Sequence, residues 1–486
     1  MLILVAVFAL QGCNDSDDTN VDNGLRMGKA SKMMLYRDSI PVDNLTFSIG
    51  KGSVIIGIDT DGEWTAEAAD TSWCKLAVHA GYGYVNKFSY NKVAVEKNNG
   101  EARSTTVTFR SGDISKTITI TQKGTGTDPG DNFISAFNFV EALGMGYNLG
   151  NTLESNHDIT NPSVLEWFNP KTVYDWETAW GQPVTTQEII NAIAERGFNV
   201  IRVPVTWFPH MDAEDNIDPA WMNRVKEVVD MVLAAGCYCI INVHHDASEP
   251  DASRGDGAHW LVADLDQYDA ISARFKKIWT QIAVSFKDYD DRLVFEAANE
   301  VLDKNGNWGD TNDPNAYVAL NKLLQDFVDA VRATGGNNEF RNLMVNPYSA
   351  GSTAAKLNGF QLPVDKHANH LMASVHSYDP YWFCNDSSDK NAEIYYIYIF
   401  DSAVQQEIDD IFARVNKRFS EELGVPYIFG EFAAGGTHVA MSERAKYAKY
   451  MKQKFNQYET TGLWWMGLMD RTNLQWYESE IVDALF

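Results

Sequence analysis

Two glutamates in this 486-residue chain stand where chemistry can be done: Glu300, directly after Asn299, and Glu431, directly after Gly430. Further polar and aromatic residues follow short apolar runs: Asn148 and Asn151, Arg202, His244 and His245, His376 and Tyr378, then Trp464 and Trp465. Two carboxylates, several neutral or cationic hydrogen-bond donors and an aromatic platform are what cleavage of a neutral sugar polymer requires. No phosphate loop or dinucleotide fingerprint competes with them. His244-His245-Asp246 together with His376 could form a metal cluster, but no spaced cysteines and no Glu-x-x-His support one, so neither metal nor cofactor is expected. Glu296 and Glu141 are read as structural ion pairs, the usual fate of a buried glutamate.

These residues need a frame that brings them together. From 132 to 486 short β-branched runs alternate with helical stretches, the pattern of βα units around a parallel sheet. Candidate strands are Met145–Leu149, Val200–Val205, Tyr238–Val243, Leu293–Glu296, Leu343–Asn346, Leu371–His376, Pro426–Phe429 and Leu463–Met466. Eight such strands predict a (β/α)8 barrel, whose active site lies at the C-terminal ends of the strands, where the candidate site residues fall. The helix predicted over Thr186–Arg196 has capping residues at its start and Gly197 at its end.

Ahead of the barrel, 34–123 reads as a small all-β immunoglobulin-like sandwich. Its clearest feature is a hairpin, Thr105–Arg110 and Ile114–Gln122 around Ser111-Gly112-Asp113. Residues 124–131 hold no apolar side chain and read as a linker and hinge. At the start, Leu2–Leu10 is too short to span a bilayer but suits a signal-peptide core. It runs into Leu10-Gln11-Gly12-Cys13, which is similar to a bacterial lipobox, so residues 1–13 are expected to be removed up to a lipidated Cys13. A polar leader, 14–33, follows. The acidic run Asn14–Asp18 resembles the signal that carries Bacteroidetes lipoproteins to the cell surface, so the expectation is an outer-membrane lipoprotein of a Gram-negative bacterium. Cys74, Cys237, Cys239 and Cys384 show no zinc spacing and read as free buried thiols. The formal charge of −26 would repel a phosphate backbone and an anionic membrane, which argues against nucleic acid as a partner.

Phe295–Glu300 and Ile428–Phe432 resemble the acid/base and nucleophile signatures of glycoside hydrolase family 5. Tyr147–Thr152, Glu177–Gly181, Ile201–Trp207 and Ile241–His245 are similar to motifs of its subfamily 4, and the resemblance covers 132–486. Trp73 and the ending Thr117–Gln122 resemble the BACON domain, a module found beside surface glycanases. The resemblance implies Glu300 as acid/base, Glu431 as nucleophile, Asn299 on the sugar 2-hydroxyl, and His244, His245 and His376 lining the same subsite. Asn151 and Arg202 are assigned to the site with them. Electrostatics agree: Arg202 and the Tyr378 hydroxyl would keep Glu431 charged, and that charge would raise the proton affinity of Glu300. Trp465 is chosen as stacking platform, with Trp464 the alternative. The implied function is a monomeric surface endo-β-1,4-glucanase acting on xyloglucan. Cellulase or mixed-linkage glucanase activity remains an alternative, as does a catalytically silent glycan-binding lipoprotein or an adhesion protein using the sandwich.

Overall fold

The computed structural model describes residues 25–26, 28, 30–37, 40–47, 52–84, 87–98, 100–124, 133–247, 259–385, 398–435 and 439–486. Cys13, nearly all of the expected linker, and much of 246–260 and 381–391 lie outside them.

Eight parallel strands close into a barrel in chain order: β1 Gly146–Asn148, β2 Val200–Val203, β3 Tyr238–Asn242, β4 Leu293–Glu296, β5 Leu343–Val345, β6 Leu371–Ser377, β7 Tyr427–Phe432 and β8 Gly462–Trp465. All eight predicted strands are present. The seventh runs further than its apolar pattern suggests, so Glu431 stands within a strand rather than after one.

Alternation along each strand sorts the side chains. Val200, Ile240, Val294, Met344, Met372, Ile428 and Leu463 point to the axis and form one apolar layer. Their neighbours Ile201, Cys239, Ile241, Phe295, Val345, Ala373, Phe429 and Trp464 point outward to the helices. Two residues further along, the same inward parity delivers Arg202, Asn242, Glu296, Ser374 and Trp465, and a further step along β6 delivers His376. The apolar layer is closed from below by a short helix, α1 Ala136–Ala142, whose Phe139 and Val140 are buried on it.

Strict alternation would turn Glu431 outward, since it lies three residues after inward Ile428. The pairing between β6 and β7 resolves this: Val375 faces Phe429 but His376 faces Glu431, so Gly430 is an inserted residue and the strand changes parity there. Only glycine fits. A Cβ at 430 would sit 2.4 Å from Ser374 Oγ and 3.1 Å from His376 Nε2.

The N-terminal unit consists of a six-stranded and a five-stranded sheet enclosing a core that includes Trp64, Trp73, Val107, Phe109, Ile118 and Ile120. The expected hairpin is present, Arg103–Ser111 against Ile114–Gln122, with Gly112 at φ 57° in the turn. The sandwich starts earlier than expected, because Leu25–Arg26 already pairs with Gly83–Tyr84 and Met33 is buried. It contacts residues just ahead of β5, β6 and β7, at the end of the barrel away from Glu431. Ser53 N–H donates to Asn369 Oδ1 (3.1 Å), Lys123 lies 4.4 Å from the Phe340 ring centre, and Ala368 belongs to the sandwich core. The four cysteines among the described residues are free and buried, as expected. Glu141, by contrast, is exposed at the end of α1 and is not a buried ion pair. Helix amphipathicity explains this, since it places the Phe139 face on the barrel and residue 141 away from it.

Candidate active site

The polar layer above the apolar one is organised by Arg202. Its guanidinium is fully buried and donates to Glu296 Oε2 (2.6 Å), Asn148 Oδ1 (3.0 Å), Glu431 Oε1 (2.7 Å) and Asn299 Oδ1 (2.9 Å). Asn148 is fixed in turn by donating to the Gly430 and Leu463 carbonyls, at 3.0 and 3.1 Å. Asn242 Oδ1 accepts Val205 N–H, which orients its amide so that Nδ2 donates to Glu296 Oε2 (3.0 Å) and to His244 Nδ1 (3.1 Å). With Nδ1 accepting, His244 carries its proton on Nε2. Burial, and then the neighbouring charges of His245, Arg202 and His376, hold it neutral.

Glu431 accepts from two directions, Arg202 at Oε1 and the Tyr378 hydroxyl at Oε2 (2.6 Å). Burial by itself would raise its pKa. The charges of His376 and Arg202, with hydrogen bonds from Tyr378 and Arg202, outweigh burial and hold it below the ordinary carboxylate range. Glu300 takes the opposite shift. Burial pushes its pKa up, His376 opposes this, and the negative charge of Glu431 adds to the rise. Its side chain keeps 17% exposure. His376 Nδ1 lies 2.7 Å from Glu300 Oε1 and 3.7 Å from Glu431 Oε2, so the imidazole bridges the two carboxyls. The site therefore holds one carboxyl biased toward keeping a proton and another biased toward losing it.

Trp465 and Trp464 separate cleanly. Trp465 is half-buried on the axis side, its ring parallel to that of His244 (6° between planes, centres 5.8 Å apart) and close over Gly150. Trp464 is buried among the outer helices with its edge on Phe432, so it is corrected from platform candidate to shell residue by the parity of β8. His245 is half-buried at the rim, 5.2 Å from Trp180. Asn151 is the left-handed residue of the turn after β1 (φ 58°), with its N–H on the Glu154 carboxylate. Burial raises Glu154 to about 7, against hydrogen bonds from Thr152 and Asn151. Asp246 spends its oxygens on Trp207 N–H and Trp260 Nε1 (both 2.7 Å), not in a histidine cluster. Glu300, His376 and Glu431 offer ligand atoms within 4.8 Å of one another. The guanidinium and phenol already on Glu431 suit a neutral substrate better than a cation.

Glu296 is the structural ion pair expected, though it shares Arg202 with Glu431 and does not stand apart from that pair of carboxyls. Asn242 went unnoticed in the sequence; its signal is parity, two positions beyond inward Ile240. Arg471, which donates to the Gly150 carbonyl (2.8 Å) under Trp465, has no such signal.

Replacing Arg202 by Met leaves Glu296 and Glu431 as uncompensated buried charges and is expected to lower stability by about 3–5 kcal/mol, measured by urea unfolding. A loss below about 1 kcal/mol would contradict the central place given to this guanidinium.

The family model for Cellulase (glycosyl hydrolase family 5) matches residues 161–467, and the BACON model, an N-terminal binding domain, matches 62–123. Endoglucanase A of Clostridium longisporum is 34% identical over 366 residues, covering 72% of this chain and 65% of that protein. A family 5 enzyme of Prevotella bryantii B14, solved as a mutant with a xyloglucan tetradecasaccharide, is 39% identical with a TM-score of 0.64, covering 72% of this chain and 97% of the other. The Bacteroides ovatus GH5 xyloglucanase, solved with a XXXG heptasaccharide, is 27% identical with a TM-score of 0.63, covering 93% of this chain and 99% of the other. With a closed eight-stranded barrel and these matches, the chain belongs to glycoside hydrolase family 5, its catalytic barrel preceded by a BACON domain.

Proposed function

We propose that the chain is a retaining endo-β-1,4-glucanase acting on xyloglucan, with Glu431 as nucleophile and Glu300 as general acid and then base. The observation that carries this reading is the closeness of the two carboxyls, whose oxygens come within 4.8 Å. Retaining enzymes hold them about 5–5.5 Å apart, whereas inverting enzymes leave about 6.5–9.5 Å for a water. In the first step the Glu431 oxygen attacks the anomeric carbon, the glycosidic bond breaks, and the leaving oxygen takes the Glu300 proton. A water then attacks the same carbon, gives a proton to Glu300 and releases Glu431. Arg202 and Tyr378 stabilise the Glu431 charge before attack and after release. His376 keeps Glu300 oriented through both proton transfers.

The opposed pKa shifts set the pH dependence. kcat/KM is expected to rise as Glu431 loses its proton, below the ordinary carboxylate range, and to fall as Glu300 loses its own, above that range. With an activated aryl glycoside, which needs little acid assistance, Glu300→Gln should keep the acid limb and lose the alkaline one. An alkaline limb surviving in that variant assigns it to another group.

Support for xyloglucan comes from the Prevotella and Bacteroides enzymes, both solved with xyloglucan oligosaccharides, and from a Bacteroides ovatus xyloglucan-specific endo-β-1,4-glucanase that is 31% identical over 408 residues. Activity on tamarind xyloglucan is expected to exceed that on carboxymethylcellulose by about tenfold or more, roughly 1.4 kcal/mol in transition-state binding. Faster hydrolysis of barley mixed-linkage glucan would overturn the substrate while leaving the retaining glucanase intact. The leader through Cys13 supports a cell-surface location, which membrane fractionation of cells carrying Cys13→Ala tests; release of the protein is the outcome in favour.

A further inference from the structure

The peptide that carries Glu300 is held by the loop after β5. Asn346 Nδ2 donates to the Asn299 carbonyl, Ser349 N–H donates to Val301 O (3.0 Å), and the Tyr348 hydroxyl accepts Asp303 N–H (2.9 Å). These ties flank Glu300 on both sides. The loop that makes them is itself strained, because Ser349 and Ala350 both adopt left-handed backbone, at φ 49° and 48°. Two consecutive non-glycine residues in that region are costly, and such strain persists only where surroundings enforce it.

Lys356 supplies that enforcement. It lies on a short helix, Ala354–Gly359, is 6% exposed, and donates to Ser349 Oγ (2.6 Å) and to the Trp308 carbonyl (2.7 Å). One ammonium thus joins the left-handed turn after β5 to the loop after β4. Its stem lies against Gly351, where a Cβ would stand 2.5 Å from Lys356 Cδ. Both acceptors are neutral, and neutral acceptors alone repay little of the cost of burying a full charge. The compensation comes from carboxyl groups: the charges of Asp310, Glu300 and Asp379 oppose the fall in the lysine pKa that burial causes.

We infer that Lys356 is a positioning residue for the acid/base: it locks the turn that fixes the Glu300 peptide, and it sets one more positive charge within electrostatic reach of that carboxyl. The inference rests on the reading of Glu300 as acid and then base. Glu300 is also faced by His376 on β6, Glu431 on β7, Arg202 on β2 and the Tyr378 hydroxyl after β6. In the second step Glu300 must take a proton from water, so a cation that moderates its proton affinity serves the base role. Without the lysine charge, the negative charge of Glu431 is less opposed and Glu300 holds its proton to higher pH.

The test uses two aryl glycosides of one gluco-oligosaccharide: a dinitrophenyl glycoside, which needs little acid assistance, and a phenyl glycoside, which needs much. In Lys356→Met, kcat/KM on the phenyl glycoside is expected to fall about tenfold while that on the dinitrophenyl glycoside changes less than about twofold. The alkaline limb of the phenyl glycoside profile should move up by about half a pH unit. Lys356→Arg, which keeps the charge and the donors, should restore the limb and part of the rate. Ser349→Gly accepts the left-handed turn without strain but removes the hydroxyl that Lys356 holds. It should show the same leaving-group-selective loss with the limb unmoved, and it carries the test alone if Lys356→Met does not fold. Equal losses on both glycosides in either variant, or an unmoved limb in Lys356→Met, would overturn the inference. A Glu300→Gln enzyme that loses no more on the phenyl than on the dinitrophenyl glycoside would instead overturn the acid assignment of Glu300, and the inference with it.

Discussion

A fully buried guanidinium is tenable only if nearly every donor is matched, because the desolvation cost of an unpaired charge reaches several kcal/mol. Arg202 meets that demand by drawing on four strands or their ends: Asn148 on β1, its own β2, Glu296 and Asn299 on and after β4, and Glu431 on β7. Its planar fork fixes distances and directions together, which a lysine ammonium could not do. Two carboxylates compensate one guanidinium, so this group of three is left net negative. His376 and the Tyr378 hydroxyl meet the excess from the other side. The raised proton affinity of Glu300 is a consequence: a further negative charge in this enclosure is unfavourable.

Backbone parity makes the arrangement possible. In a barrel of short parallel strands, inward and outward positions alternate, and the inward series rises from apolar floor to polar layer. The insertion at Gly430 breaks this rule once, where an outward position becomes an inward one and Glu431 enters the site. Glycine is needed there because Ser374 and His376 occupy the space of a side chain. The Gly-Glu pair thus has a packing cause as well as a chemical one. The floor, sealed by α1, separates the underside of the ion network from solvent, and the described sandwich contacts lie at the end of the barrel away from Glu431.

Much of this was legible in the sequence, for reasons that differ from element to element. Short apolar runs mark the strands, and the polar residues in or after them mark the rim, which is why Arg202, His376 and Tyr378 are legible. The end of β7 was missed because Gly430 and Glu431 interrupt the apolar pattern that defines a strand, and a bulge has no signature in hydropathy. The sequence favours Trp465 but keeps Trp464 as an alternative, since adjacent residues point to opposite faces and one residue of register decides between them. The role of Glu296 under the network, and the clasp between Lys356 and the loop of Trp308, depend on pairings between distant segments that no local pattern encodes. The same holds for Arg471 on the Gly150 carbonyl.

The proposed mechanism requires Glu431 to be the residue that bonds to sugar. A 2-deoxy-2-fluoro gluco-oligosaccharide with an activated leaving group slows the second step more than the first, so the glycosyl-enzyme accumulates and its mass can be read. Peptide mapping of the labelled protein should find one added glycosyl unit, carried by the peptide containing Glu431 and absent from Glu431→Gln. Label on any other residue, or an enzyme that turns over the reagent and releases the α-anomer first, would contradict the two-step mechanism and the assignment of this carboxylate.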